Sequence, residues 1–185
     1  MSLARFYSRI HEAISPLLIG AEDLPSLLSE KVVSLVAPEE IENYPEHQAG
    51  FMLAVNLCAR LYPKLRVVGP KRIVDECESI ASAINPKCEY YREQGTVDGI
   101  LAWAPNHRLT SEVAINPVDW DVYIDNTIGM KPSNALVCLA AASIGVGELF
   151  RSVFADYLAE GRRKPAAHRL NLLTLKDSAA QLAPP

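Results

Sequence analysis

The chain lacks the short motifs that identify many enzymes of its size. It contains no Walker motif and no Gly-x-Ser-x-Gly elbow, so neither a P-loop phosphate site nor an α/β-hydrolase nucleophile is indicated. Glycine, which lets a backbone approach a phosphate closely, occurs only 9 times in 185 residues. The sequence therefore predicts no catalytic residue and no cofactor, and it leaves open whether the chain is an enzyme.

Residues that ligate metals are few and dispersed. The 4 cysteines form no Cys-x-x-Cys pair, and the 4 histidines show no ligand spacing, so no metal site is predicted. The cysteines are expected to be reduced, buried thiols that act as small apolar residues, as in a cytoplasmic protein. The residues concerned are Cys58, Cys77, Cys88, Cys138, His11, His47, His107 and His168.

Charge and apolar content argue against two further classes of function. The formal net charge is −4, which does not suit a general nucleic-acid-binding protein. The most apolar run, residues 135–146, is short for a membrane span and rich in alanine and glycine, and the N-terminus has no signal-peptide h-region. We therefore expect a cytoplasmic protein with no nucleic-acid partner and no membrane partner.

What the sequence does contain is an alternation of strand and helix patterns. This alternation favours right-handed βαβ units, and hence an α/β fold with a Rossmann-like, mostly parallel sheet and helices on both faces. We expect an N-terminal helical extension at 1–30, a Rossmann-like domain at 31–176, and a tail or linker at 177–185. The predicted strands are 31–37, 65–70, 88–92, 97–104, 120–125 and 170–175, and the predicted helices are 4–14, 23–30, 46–61, 71–84 and 134–158.

The turn after the first predicted strand is where a nucleotide-binding α/β domain places its phosphate loop. Such a loop is rich in glycine, and the following helix N-terminus completes the anion site. Here residues 38–50 hold a single glycine, Gly50, at their far end, together with Glu39, Glu40, Glu42 and Glu46. Because carboxylates repel phosphates, the sequence predicts that the chain does not bind ATP.

The strand predicted at 120–125 is the second region that could form a polar binding site. Asp119, Asp121 and Asp125, together with Asn126, could line an edge of the sheet and bind a cation. The same alternation also fits an ordinary strand with one solvated face. Trp103 and Trp120 are expected to fill the core.

The helix predicted at 134–158 is apolar around most of its circumference. Gly145 and Gly147 lie in its interior, where glycine costs about 1 kcal/mol relative to alanine. We therefore expect both glycines to face a neighbouring backbone. Apolar surface that the sheet leaves uncovered should mediate dimerisation or binding of a partner. The candidate interaction residues are Leu136, Ile144, Gly145, Gly147 and Phe150.

Four segments, in this order and spacing, resemble the adenylation domain of the ThiF/MoeB and ubiquitin-activating (HesA/MoeB/ThiF) superfamily. The first is the helix at 47–63 that leads into Leu-Arg-Val-Val at 65–68. The second is Ile-Ala-Ser-Ala-Ile-Asn-Pro at 80–86, followed by Cys-Glu. The third is Trp-Asp-Val-Tyr-Ile at 120–124, and the fourth is Ala-Ala-x-x-Gly-x-x-Glu-x-Phe at 141–150. The resemblance spans residues 32–175.

The chain departs from this family at its functional positions. It lacks the glycine-rich nucleotide loop, the ribose-binding acid, the Asn-Leu-x-Arg-Gln segment and the Cys-x-x-Cys zinc pairs. The resemblance therefore implies a degenerate, inactive adenylation domain. The partners that it implies are a second copy, a homologous active adenylation domain or a ubiquitin-like protein. The alternative is a small-ligand-binding or enzymatic Rossmann-like domain with a non-standard site near Asp121, Asp125 and Asn126.

Overall fold

The structure is a computed structural model that describes residues 24–91, 95–107, 112–157 and 167–179. The helix predicted at 4–14 lies outside these residues. The described helices are α1 Leu24–Glu30, α2 Pro45–Leu61, α3 Lys71–Ile84 and α4 Ala135–Val153, with short 3-10 helices at Glu39–Asn43 and Ala155–Tyr157. The described strands are β1 Val32–Val36, β2 Lys64–Val68, β3 Glu89–Tyr91, β4 Gly99–Trp103, β5 Glu112–Val118, β6 Asp121–Ile124, β7 His168–Asn171 and β8 Lys176–Ala179.

The strands form one mixed sheet in the order β3-β2-β1-β4-β5-β6-β7-β8. The five strands from β3 to β5 are parallel, and the pairings from β5 to β8 are antiparallel. The chain adds β2 and β3 on one side of β1 and then returns to add β4 on the other side. The Rossmann-like α/β class predicted from the sequence is therefore confirmed.

Helices α2, α3 and α4 pack side by side and against the sheet, with α2 in contact with both of the others. The core lies between this layer and the strands. At Gly145 the backbone of α4 comes close to Leu101 of β4 and Ile115 of β5. Fully buried apolar residues of this core include Val33, Leu35, Phe51, Val55, Leu101 and Ile115.

Strand β5 was not predicted, since Pro117 interrupts its apolar pattern. Proline lacks an N–H and is tolerated in a strand only where no ladder bond is needed. Pro117 pairs with Val122 of β6. Three residues earlier, Ala114 lies opposite Asp125, and its carbonyl oxygen accepts from the Asp125 N–H. Because bonded and non-bonded pairs alternate along an antiparallel ladder, Pro117 lies at a position that makes no bond to β6. On the other side β4 ends opposite Ile115, so no ladder bond is lost.

The strand predicted at 170–175 is instead the tip of a hairpin. Strand β7 ends at Asn171, and a four-residue turn leads into β8. The Asn171 Oδ1 atom accepts hydrogen bonds from the Thr174 backbone N–H at 2.9 Å and from its hydroxyl at 3.0 Å. Leu175 has φ 53°, a position where glycine or asparagine would be the usual signal. Strand β8 reaches Ala179, so the tail predicted at 177–185 begins inside the sheet.

Helix α4 has 19 residues and is long and apolar enough to cross a membrane by length and composition, contrary to the sequence expectation. In this structure its inner face packs on the sheet and on α2. Its one acidic residue, Glu148, is buried and pairs with Arg151 one turn further on. Packing within the α/β domain therefore accounts for the apolar character of that inner face.

Candidate functional site

Strand β1 lies between β2 and β4, at the topological switch point of the sheet. In open α/β sheets the crevice beyond the carboxyl ends of the strands at this point is where ligands bind. Three segments of the chain meet here. They are the start of α2, the last residue of β4, and the loop at 126–133 that leads into α4.

His47, in the first turn of α2, joins these segments. Its ring is fully buried. The Nε2 atom lies 2.7 Å from the Lys131 carbonyl oxygen, and Nδ1 lies 3.2 Å from Nε1 of Trp103. Burial lowers the pKa of His47, and this effect outweighs the backbone hydrogen bond and the charge of Glu46, which both raise it.

Trp103 packs against the first two turns of α2. Its indole is buried and meets the ring of Phe51 edge-on, with centroids 6.2 Å apart. A Cβ placed on Gly50 would lie 2.8 Å from two indole carbons and 2.8 Å from the Cys138 carbonyl oxygen. Gly50 is thus the residue that lets α2 pass close to both Trp103 and α4.

The loop at 126–133 covers the same edge. Its Gly129 N–H donates to the Pro105 carbonyl oxygen at 2.9 Å, just beyond the end of β4. Ser133 forms a bridge with Asp119 in the β5–β6 turn. Asn134 then caps α4 by accepting from the Val137 N–H at 3.0 Å. The path from β6 to α4 is therefore anchored at several points across the carboxyl ends of the strands.

The turn after β1 has the acidic composition noted in the sequence. Its 3-10 helix buries Ile41 and exposes Glu39 and Glu40, while Glu42 accepts from Arg72 at 3.3 Å. Helix α2 has no side-chain cap at its N-terminus. The backbone N–H groups of this turn are thus flanked by carboxylates, which disfavours an anion at this helix start.

The acidic residues proposed for the alternative site lie apart from one another. Asp121 begins β6, and Asp125 follows its last residue. Asp121 accepts from Asn171 at 2.7 Å and pairs with Arg169 at 2.8 Å. The prediction that this face of β6 is solvated is wrong, since both aspartates are buried. Among the described residues, no group of three or more histidine, cysteine or acidic residues is placed to hold a metal ion.

The prediction that both tryptophans fill the core is right for one of them and wrong for the other. Trp103 is in the core, as predicted, but Trp120 lies in the β5–β6 turn with 41% of its surface exposed. The Trp120 carbonyl oxygen accepts from the Leu172 N–H at 2.9 Å, so the tips of the two hairpins are joined. Leu173 and Leu175 are exposed at 63% and 77% beside this bond. These three side chains lie at the same end of the sheet as the start of α4.

Helix α4 carries a second group of exposed apolar side chains. Leu136 is 62% exposed and Leu139 is 38% exposed. Ile144 and Phe150 are half-buried further along the helix, and Phe150 packs against Phe154 with ring centroids 4.7 Å apart. We call Leu136, Leu139, Ile144, Gly147 and Phe150 the outer face of α4.

The two glycines of α4 do not share one environment. Gly145 faces the sheet, where a Cβ would lie 3.1 Å from Cδ1 of Leu101 and 3.5 Å from Ile115. These neighbours are side chains, so the prediction of a close backbone is wrong for Gly145. A Cβ on Gly147 would meet nothing within 4 Å, so the prediction is wrong there as well. Gly145 therefore does not belong to the outer face of α4.

The four cysteines are free, and three of them are buried, as predicted. Burial raises the pKa of Cys77 and of Cys138 to about 12. Burial likewise raises the pKa of Cys58 and, together with the charge of Glu89, that of Cys88. Because a thiol must ionise to act as a nucleophile, these cysteines are suited to packing.

The fold and its switch point define a Rossmann-like α/β domain in which buried His47 and Trp103 join the start of α2 to the end of β4. No protein-family model matches the chain. The chain is similar to a protein of Sinorhizobium fredii (strain NBRC 101917 / NGR234) described as uncharacterized protein y4jF, with 28% identity over 177 residues. The match covers 89% of this chain and 34% of that protein, so the chain spans about a third of that protein's length.

Proposed function

We propose that the chain is a non-catalytic, ThiF-like pseudo-adenylation domain that works through protein–protein contacts in the cytoplasm. Its partner in this proposal is a second copy or a homologous active adenylation domain of a ubiquitin-like-protein activation system. The observation that carries the proposal is the exposed apolar outer face of α4. Contiguous exposed apolar surface is typical of an interaction site.

The residues at the switch point support the non-catalytic part of this proposal. A nucleotide bound there would lie near Trp103, whose indole is buried and hydrogen-bonded to His47. It would also place its phosphates beside the carboxylates of Glu39 and Glu40. Neither the indole nor these acids offers the backbone N–H cradle that a phosphate requires.

The alternative function, a small-ligand site near Asp121, Asp125 and Asn126, has less support. Asp121 is already neutralised by Arg169 and bonded to Asn171. The Asn126 carbonyl oxygen accepts a hydrogen bond from Asn116 at 2.5 Å. These contacts join strands β5, β6 and β7, and they give Asp121 and the Asn126 carbonyl oxygen partners within the protein.

Sedimentation velocity across a concentration series tests the interaction face. We expect the full chain to self-associate, and we expect the double substitution Leu136→Asp with Leu139→Asp to make it monomeric. Val68→Asp is the matched control, because Val68 is 44% exposed and lies at the end of β2. This control should associate like the unsubstituted chain.

A heterotypic partner is tested with the same three proteins. Binding to an active adenylation domain, measured by calorimetry, should be lost in the double variant and kept in the Val68→Asp control. A chain that remains monomeric at every concentration, and that binds no such domain, would contradict the proposal.

A further inference from the structure

The two hydrogen-bond partners of His47 fix its protonation state. The indole Nε1 of Trp103 can only donate, so the Nδ1 atom of His47 must accept and carry no proton. The Lys131 carbonyl oxygen can only accept, so the proton is on Nε2. The link between α2, β4 and the loop at 126–133 therefore requires the neutral ring.

Protonation would break one of these two bonds and keep the other. An imidazolium ring has an N–H at both nitrogens, so Nδ1 would point a donor at the indole N–H of Trp103. The bond to Lys131 would remain. The new charge would lie in a fully buried position, where it is stable only if water or a partner reaches it.

The surroundings of His47 contain few groups that could compensate the charge. From the start of α2, Glu46 favours the charged ring, and Tyr44 places its ring edge-on with centroids 5.6 Å apart. The covering loop contributes a carbonyl oxygen from Lys131, whose side chain points to solvent as an exposed group. On α4, Cys138 is held neutral by burial. Strand β4 contributes only the indole of Trp103.

We propose that His47 is an acid-sensitive latch on the switch-point crevice. When its ring takes up a proton it separates from Trp103, and water enters between α2 and β4 while the sheet and its helices stay folded. The opening is local because the bond that breaks joins one side chain of α2 to one of β4. The latch couples acidification to solvent exposure of the Trp103 indole, which is buried when His47 is neutral.

Tryptophan fluorescence tests this latch. The chain has 2 tryptophans, so Trp120→Phe leaves Trp103 as the sole reporter. We expect its emission to shift to longer wavelength, and acrylamide quenching to rise several-fold, as the pH falls below the ordinary histidine pKa of 6.5. Far-UV circular dichroism should stay constant through this change.

The matched control is Trp120→Phe combined with His47→Gln. The glutamine amide can donate to the Lys131 carbonyl oxygen and accept from the indole, and it does not titrate. Its Trp103 signal should be flat with pH. The proposal is overturned if the signal is flat with His47 present, if the acid change persists in the glutamine variant, or if circular dichroism is lost together with the fluorescence change.

A second measurement covers the case in which the glutamine variant does not fold. In the Trp120→Phe protein, the indole N–H resonance of Trp103 and the ring resonances of His47 can be followed by NMR over the same pH range. The latch requires the Trp103 and His47 resonances to change with the same pH midpoint. Separate midpoints would overturn it.

Discussion

Trp103 lies directly over the position where Gly50 has no side chain, with two indole carbons 2.8 Å from where a Cβ would be. This contact explains a glycine in the second turn of α2, where alanine would favour the helix more. The helix that would bind a phosphate at its N-terminus in related folds packs here on an indole from β4.

Gly50→Ala should destabilise the domain, because the new methyl group has no room beside Trp103 and the Cys138 carbonyl oxygen. Overpacking of this kind typically costs about 1–3 kcal/mol. Urea denaturation followed by circular dichroism measures the difference in the free energy of unfolding. A midpoint equal to that of the unsubstituted chain would mean that the close approach of α2 and Trp103 is absent in solution.

The two glycines of α4 should respond in opposite ways. Gly147→Ala should stabilise by about 0.5–1 kcal/mol, because the position is open and alanine favours a helix. Gly145→Leu should destabilise by about 1–3 kcal/mol, because the side chain would be forced against Leu101 and Ile115. Thermal unfolding of both variants tests the pair, and equal effects would contradict the orientation of α4.

The stability of the chain should fall as the pH drops below 6.5, in part because of His47. Burial lowers the folded-state pKa of this histidine, so between that value and 6.5 the unfolded chain binds a proton that the folded chain does not. The free energy of unfolding therefore rises with pH across this window. His47→Gln should remove this component from the pH dependence. An identical pH profile in the two proteins would show that His47 is not desolvated.

The sequence predicted the units from β1 to β3 well, because their helices and strands have strong periodic patterns and clear ends. The sequence did not predict β5 because a proline normally interrupts a strand. Only the structure shows that β4 ends opposite Ile115, so that Pro117 loses no ladder bond. The sequence missed β8 because Leu175 occupies a turn position that glycine or asparagine usually marks. These errors come from positions where tertiary context overrides local preference.

The candidate site was harder to predict than the fold. His47 and Trp103 are 56 residues apart, and His47 and Lys131 are 84 residues apart. No local pattern joins them, so only the sheet order brings them together. The sequence did identify the apolar helix, which the structure places at Ala135–Val153. It could not show that Gly145 points inward and Gly147 outward, because both lie in the same run of small residues.

The most direct test of the proposed non-catalytic role is calorimetric titration of the full chain with Mg-ATP at low salt. We expect no binding, because the turn before α2 is poor in glycine and carries the exposed carboxylates of Glu39 and Glu40. Dissociation in the micromolar range, with the phosphates mapped by NMR to residues 39–50, would contradict it.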